Sequence, residues 1–150
     1  MSTVESSVVI AAPRQSVWAV VMDAERFGEW VTIHRGLRDV SPGPAREGSS
    51  MEQILHLRGA DIRVRWVLVE CDPPSYARWQ GRGPARTRAR IEYRLTAAPQ
   101  GTRFDYRNEF DTPLGPLGAF ASRRVMGQMA QREADRSLAA LRELVERPGA

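Results

Sequence analysis

Residues 87–112 constrain this chain more tightly than any other stretch. Two alternating runs flank Ala98-Pro99-Gln100-Gly101. Reading those four residues as a loop, with Gly101 supplying a left-handed conformation, sets one antiparallel register. On the outward side Arg94 then faces Asp105, Glu92 faces Arg107, Arg90 faces Glu109 and Arg88 faces Asp111. Every one of these pairs is of opposite charge. On the inward side Leu95 meets Phe104, Tyr93 meets Tyr106, Ile91 meets Asn108 and Ala89 meets Phe110. A cross-strand pair contributes about 0.2–1 kcal/mol, so the agreement says more about register than about stability.

A second hairpin is predicted from 50–58 and 61–71. Met51, Gln53, Leu55 and Leu57 share a face of the first run, Ile62, Val64, Trp66 and Leu68 share a face of the second, and pairing brings both sets to the same side of the sheet. Gly59-Ala60 reads as a type II′ two-residue turn, which sets Arg58 against Asp61, Leu57 against Ile62, Leu55 against Val64 and Gln53 against Trp66. Strand 75–82 lies between the hairpins with Trp79 inward, and Gly81, Gly83 and Pro84 read as a loop. At the N-terminus, 3–10 alternates as a strand with Val4, Ser6, Val8 and Ile10 on one side. Pro13 opens a helix over 13–22, and a short helix over 24–30 turns Phe27 and Trp30 inward. A strand over 36–41 ends at Ser41-Pro42-Gly43-Pro44.

From Leu117 to Glu146 only Gly118 and Gly127 weaken a helix. Val145, Leu141, Leu138, Ala134, Ala130, Gly127 and Phe120 follow helical spacing. The large residues occupy the last third of that stripe and the small ones its middle. Opposite inner faces carrying Trp66, Trp79, Tyr93, Tyr106 and Phe110, small residues imply either close packing or an open space, and the aromatic faces favour a space.

The order strand, two short helices, six strands, long helix resembles the helix-grip fold of the START/polyketide-cyclase superfamily (SRPBCC, Bet v 1-like). Ala12-Pro13, Val17-Trp18, Asp23, Phe27 and Trp30 resemble its N-terminal signature. Gly101-Thr102-Arg103-Phe104 with Tyr106 resembles its last strand, and Leu114-Gly115-Pro116-Leu117-Gly118 the approach to its long helix. The resemblance covers nearly the whole chain. It implies an α+β fold over residues 1–150, with a curved seven-stranded antiparallel sheet, two short helices, a long C-terminal helix and a pocket between sheet and helix. The superfamily spans lipid carriers, hormone receptors, aromatase/cyclases, co-chaperone-like domains and enediyne self-resistance proteins, so it does not name a ligand.

The 150 residues are 42% hydrophobic and 27% charged, an ordinary globular composition. No apolar run approaches the roughly 18 residues of a membrane span. The first residues lack a signal-peptide pattern, and Cys71 has no partner for an internal disulfide, so a cytoplasmic protein, monomeric or homodimeric, is expected. The net charge of +4 raises nucleic acid as a partner. Every basic residue is Arg, however, and the arginines are interleaved with acids, so that reading is set aside.

No metal site is expected. His34, His56 and Cys71 lack ligand spacing, and His56 falls on an outward face. No nucleophile elbow is present, Cys71 reads as a small structural residue, and no cofactor is expected. The polar groups on apolar inward faces are Gln53, Tyr93, Tyr106 and Asn108. They either pair among themselves or orient a mostly apolar ligand. The expected ligand wall is Gln53, Leu55, Val64, Trp66, Trp79, Ile91, Tyr93, Tyr106, Asn108, Phe110, Phe120 and Gly127. Arg123 or Arg124 is a candidate for an acidic ligand group, and Met126 and Met129 could let the pocket adapt. His34, Tyr93, Tyr106 and Asn108 are weak catalytic candidates for an aromatase/cyclase chemistry that would rely on positioning. A self-resistance protein cleaved near Gly81 or Gly83, and a protein-interaction module, are further alternatives. The leading expectation is a binder of a hydrophobic, lipid-like or aromatic polyketide-like molecule.

Overall fold

A computed structural model describes residues 2–57, 59–111 and 119–148, with 119–126 as helix backbone alone. The chain runs β1 (Ser2–Ile10), α1 (Arg14–Val21), a 3-10 helix (Ala24–Glu29), β2 (His34–Arg38), β3 (Ser50–Leu57), β4 (Ala60–Asp72), β5 (Tyr76–Arg82), β6 (Arg88–Ala98), β7 (Gly101–Phe110) and α2 (Ala119–Glu146). The seven strands form one antiparallel sheet in the order β1-β7-β6-β5-β4-β3-β2. This is a helix-grip α+β fold. Register shifts between His34 and Gly36 and between Leu68 and Glu70 bend the sheet.

The β6–β7 hairpin has the expected register from Ala89 opposite Phe110 to Leu95 opposite Phe104. Its loop is shorter than predicted, because Ala98 pairs with Gly101 and only Pro99 and Gln100 turn. Gly101 has the positive φ expected of it, 145°, and a β-carbon there would also stand 2.2 Å from the Ile10 carbonyl oxygen.

The β3–β4 register differs by one step of two residues. Leu57 pairs with Ala60, Leu55 with Ile62, Gln53 with Val64 and Met51 with Trp66. Gly59 is the second loop residue, at φ 79°, rather than the first, and Arg58 with its expected partnership lies outside the described residues. A two-residue step leaves each side chain on its expected face, because strand alternation has period two. Strand β2 begins at His34 rather than 36, and Gly81 lies inside β5 rather than in a loop.

Along α2, Ala134, Leu138 and Leu141 are buried as the stripe predicts, joined by Ser137 and Leu144, while Val145 is only half-buried. The helix is tied to β1 and the chain after it: Gln131 Nε2 donates to the Glu5 carbonyl at 2.9 Å, Ser6 Oγ donates to Asp135 at 2.7 Å, and the Ala11 amide donates to Glu146 at 2.8 Å. The densest core sits at the C-terminal half of α2, where Ile10, Val17, Val21, Leu95, Phe104 and Leu141 are fully buried.

Candidate functional site

Away from that dense core, α2 and the concave face of the sheet enclose a cavity of about 280 Å³. Its helix wall is Met129, Ala130, Glu133, Ala134, Ser137 and Leu138. Its sheet wall includes Gln53, Leu55, Val64, Trp66, Trp79, Ile91, Tyr93, Tyr106, Asn108 and Phe110, all of which the alternation turned inward. Gly127 is not among the lining residues, and a β-carbon there meets nothing within 4 Å. The side chains of Phe120, Arg123, Arg124 and Met126 lie outside the described residues.

Several lining residues escaped the sequence reading. Met51, Ile62 and Ala89 carried the right alternation. Ser137 and Glu133 sit at helical spacing from Ala130 and Ala134. Phe27 and Trp30 were turned inward, but nothing in the sequence placed them at this cavity. Gly83, Pro84, Thr87, Arg88 and Asp111 form its far end, brought together by the β5–β6 and post-β7 connections. No local pattern announces that meeting.

One wall carries an ordered polar chain. Trp66 Nε1, a donor only, donates to Gln53 Oε1 at 2.9 Å. The other end of the amide, Gln53 Nε2, therefore donates to His34 Nδ1 at 3.0 Å. That bond makes Nδ1 the acceptor and leaves the ring proton on Nε2. Burial pushes the His34 pKa below its ordinary value. His34 itself does not line the cavity; it holds Gln53, which does. Trp66 can lie against β5 because Gly81 is opposite: a β-carbon at Gly81 would stand 2.5 Å from the indole ring. Gly81 is thus a packing residue of the cavity wall.

The second polar group is Tyr93, Tyr106 and Asn108. The two phenol rings are 6.2 Å apart and tilted. Burial pushes both phenols up, Tyr93 strongly and Tyr106 to about 12, with the Asn108 hydrogen bond opposing the rise at Tyr106. Both therefore stay neutral donors at physiological pH. Asn108 Oδ1 is buried without a hydrogen-bond partner among the described residues, and so are the indole nitrogens of Trp30 and Trp79. Leaving such a group unpaired costs about 1–3 kcal/mol, so each calls for a partner, whether water or a bound molecule.

Acid–base groups are otherwise engaged. Glu133 accepts from the Thr32 hydroxyl and faces Arg136 at 3.4 Å. The Cys71 thiol is half-buried and burial raises its pKa, which suppresses the thiolate. His56 pairs with Asp61 at 2.8 Å on the outer face. Among the described residues no cluster of His, Cys, Asp and Glu could hold a metal ion, and no helix is long and apolar enough to cross a membrane.

The model of a family described as polyketide cyclase / dehydrase and lipid transport matches residues 1–146. The structure of TTHA0849 from Thermus thermophilus superposes with a TM-score of 0.82 at 20% identity, covering 99% of both chains. The Zhui aromatase/cyclase from a Streptomyces species superposes at 0.78 and 18% identity, covering 97% of this chain and 93% of that one. At these identities the likeness is one of fold. Toxin Rv0910 of Mycobacterium tuberculosis is 24% identical over 120 residues, 79% of this chain and 83% of its own.

Proposed function

The chain belongs to the polyketide cyclase / dehydrase and lipid transport family, and from that membership we propose that it holds a hydrophobic, lipid-like or aromatic polyketide-like molecule in the cavity between sheet and α2. The observation that carries this reading is the set of buried atoms without partners at Asn108, Trp30 and Trp79, around an otherwise apolar space. A ligand with an apolar body and one or two hydroxyl or carbonyl groups would satisfy them. Asn108 Oδ1 asks for a donor, while the indole nitrogens and neutral phenols ask for acceptors. The Trp66–Gln53–His34 chain is internally satisfied, and its role in this reading is to fix the wall against which the ligand rests.

Binding without turnover is preferred because the candidate bases are occupied. His34 Nδ1 accepts from Gln53, Glu133 is bonded to Thr32, and both phenols are held neutral. A second reading, aldol closure and water loss on a poly-β-carbonyl chain, is favoured by those same neutral phenols. They can donate to a developing oxyanion. The Zhui aromatase/cyclase shares the fold and lends this reading a precedent.

The deciding experiment is a thermal-shift series with fatty acids, sterols, flavonoids and aromatic polyketides. A ligand at about 100 times its Kd should stabilise the fold by about 2.7 kcal/mol, roughly 5–10 °C for a chain of this size. No shift with any class would argue against a ligand site. A hit that disappears in Asn108→Leu would support the orientation described. Turnover of the hit by the wild type, lost in Tyr106→Phe, would move the assignment to the enzyme.

A further inference from the structure

We propose that the convex face of the sheet, at the end that carries the β5–β6 turn, is an anion-binding surface that docks this protein on an anionic phospholipid bilayer. Across the centre of that face the outward residues alternate in charge over five strands. Glu70 lies opposite Arg78, Arg78 opposite Glu92, Glu92 opposite Arg107 and Arg107 opposite Glu5. At the end that carries the β5–β6 turn the alternation breaks. Arg65 of β4 lies directly opposite Arg82 of β5, and Arg82 opposite Arg88 of β6.

All three arginines are exposed, and so is Arg86 in the turn between β5 and β6. None of the four forms an ion pair with the described residues. Glu52 lies opposite Arg65, but its carboxylate is nearest Arg63 at 3.9 Å. Asp111 bonds the Arg88 carbonyl through its backbone amide. Like charges directly opposite each other destabilise a sheet, and the centre of the same face shows how this protein avoids that. A row that keeps the repulsion concentrates positive potential, which attracts a surface of negative charge.

The row's position points to the bilayer. Gly83, Pro84, Thr87 and Arg88, the segment that follows Arg82, line the far end of the apolar cavity. Headgroups held by Arg65 and Arg82 would therefore bring this end of the apolar cavity next to the membrane surface. The outward residues of these strand ends include no aromatic side chain on which a nucleic-acid base could stack. The docking does not depend on which ligand the cavity takes, or on whether it takes one.

The test is cosedimentation of the full chain with vesicles of phosphatidylcholine alone or mixed with phosphatidylserine. Binding is expected only with phosphatidylserine and should fade as salt screens the charges. The double variant Arg65→Gln/Arg82→Gln should lower partitioning roughly twenty-five-fold, at about fivefold per cation. Arg107→Gln, from the alternating row, should change it by less than about twofold. Thermal melts establish that both variants fold. Failure of the folded wild type to bind phosphatidylserine vesicles, or equal binding by the double variant, overturns the proposal. So does binding of oligothymidylate or polyglutamate through Arg65 and Arg82 with none to vesicles, which would reassign the surface to those partners.

Discussion

The two halves of the interface between α2 and the sheet use the same elements for opposite ends. In the C-terminal half Leu141 and Leu144 join Ile10, Val17, Val21, Leu95 and Phe104 in the buried core, with Leu138 at the boundary, where it also lines the cavity. Among the described residues of the other half the helix offers Ala130 and Ala134, with Met129 at the margin, and these small side chains line the cavity. The backbone architecture is continuous across both. Side-chain volume along one face of one helix decides whether sheet and helix make a core or a chamber. The filled half can therefore supply the stability that lets the other half stay open.

The largest effect should come from emptying the filled half. Leu141→Ala is expected to lose about 2–5 kcal/mol in urea unfolding, whereas Met129→Ala, half-exposed at the cavity, should lose about 1 kcal/mol or less. Equal losses would mean that the halves do not differ as described. Next, Ala134→Leu should change stability by no more than about 1 kcal/mol, since the added carbons enter existing space. Any ligand found by thermal shift should bind at least tenfold more weakly, roughly a 1.4 kcal/mol change. Undiminished binding would place the ligand elsewhere.

A smaller effect follows from His34. Its folded pKa is depressed from 6.5 by burial, and its Nδ1 accepts from Gln53. Above pH 6.5 it is neutral whether folded or not. Below that, the unfolded chain takes up a proton that the folded chain resists, so stability should fall with falling pH until folded His34 also protonates. His34→Gln should flatten that part of the pH–stability curve, and an unchanged curve would assign the acid sensitivity to other groups. The smallest effect concerns the convex face. Arg82→Gln should be neutral or stabilising by about 0.5 kcal/mol, and Arg107→Gln destabilising by a similar amount, as read by chemical denaturation. Matching signs would erase the distinction between the two rows.

Much of this was legible in the sequence where the controlling interaction is periodic. Alternation turned Gln53, Trp66, Trp79, Tyr93, Tyr106 and Asn108 to the concave face, and helical spacing carried Ala130, Ala134 and Leu138. The charge pairs of residues 87–112 set the β6–β7 register. The β3–β4 register went one step astray because a Gly next to a turn fits either loop position, and a shift of two residues leaves every face unchanged. Gly81 read as a loop residue because its reason is the Trp66 ring from a neighbouring strand.

By itself the sequence determined the order of elements, the face each side chain takes, and the gradient from leucine to alanine along the last helix. These follow from local periodicity and side-chain size, which each segment carries alone. Only the tertiary structure decided the rest: that Trp66, Gln53 and His34 form one hydrogen-bonded chain, that Asn108 keeps a buried oxygen without a partner among the described residues, and that three arginines stand side by side next to one end of the cavity. Each of these depends on which strands become neighbours and how far the sheet bends before the helix crosses it. Those distances are set by the packing of the whole chain.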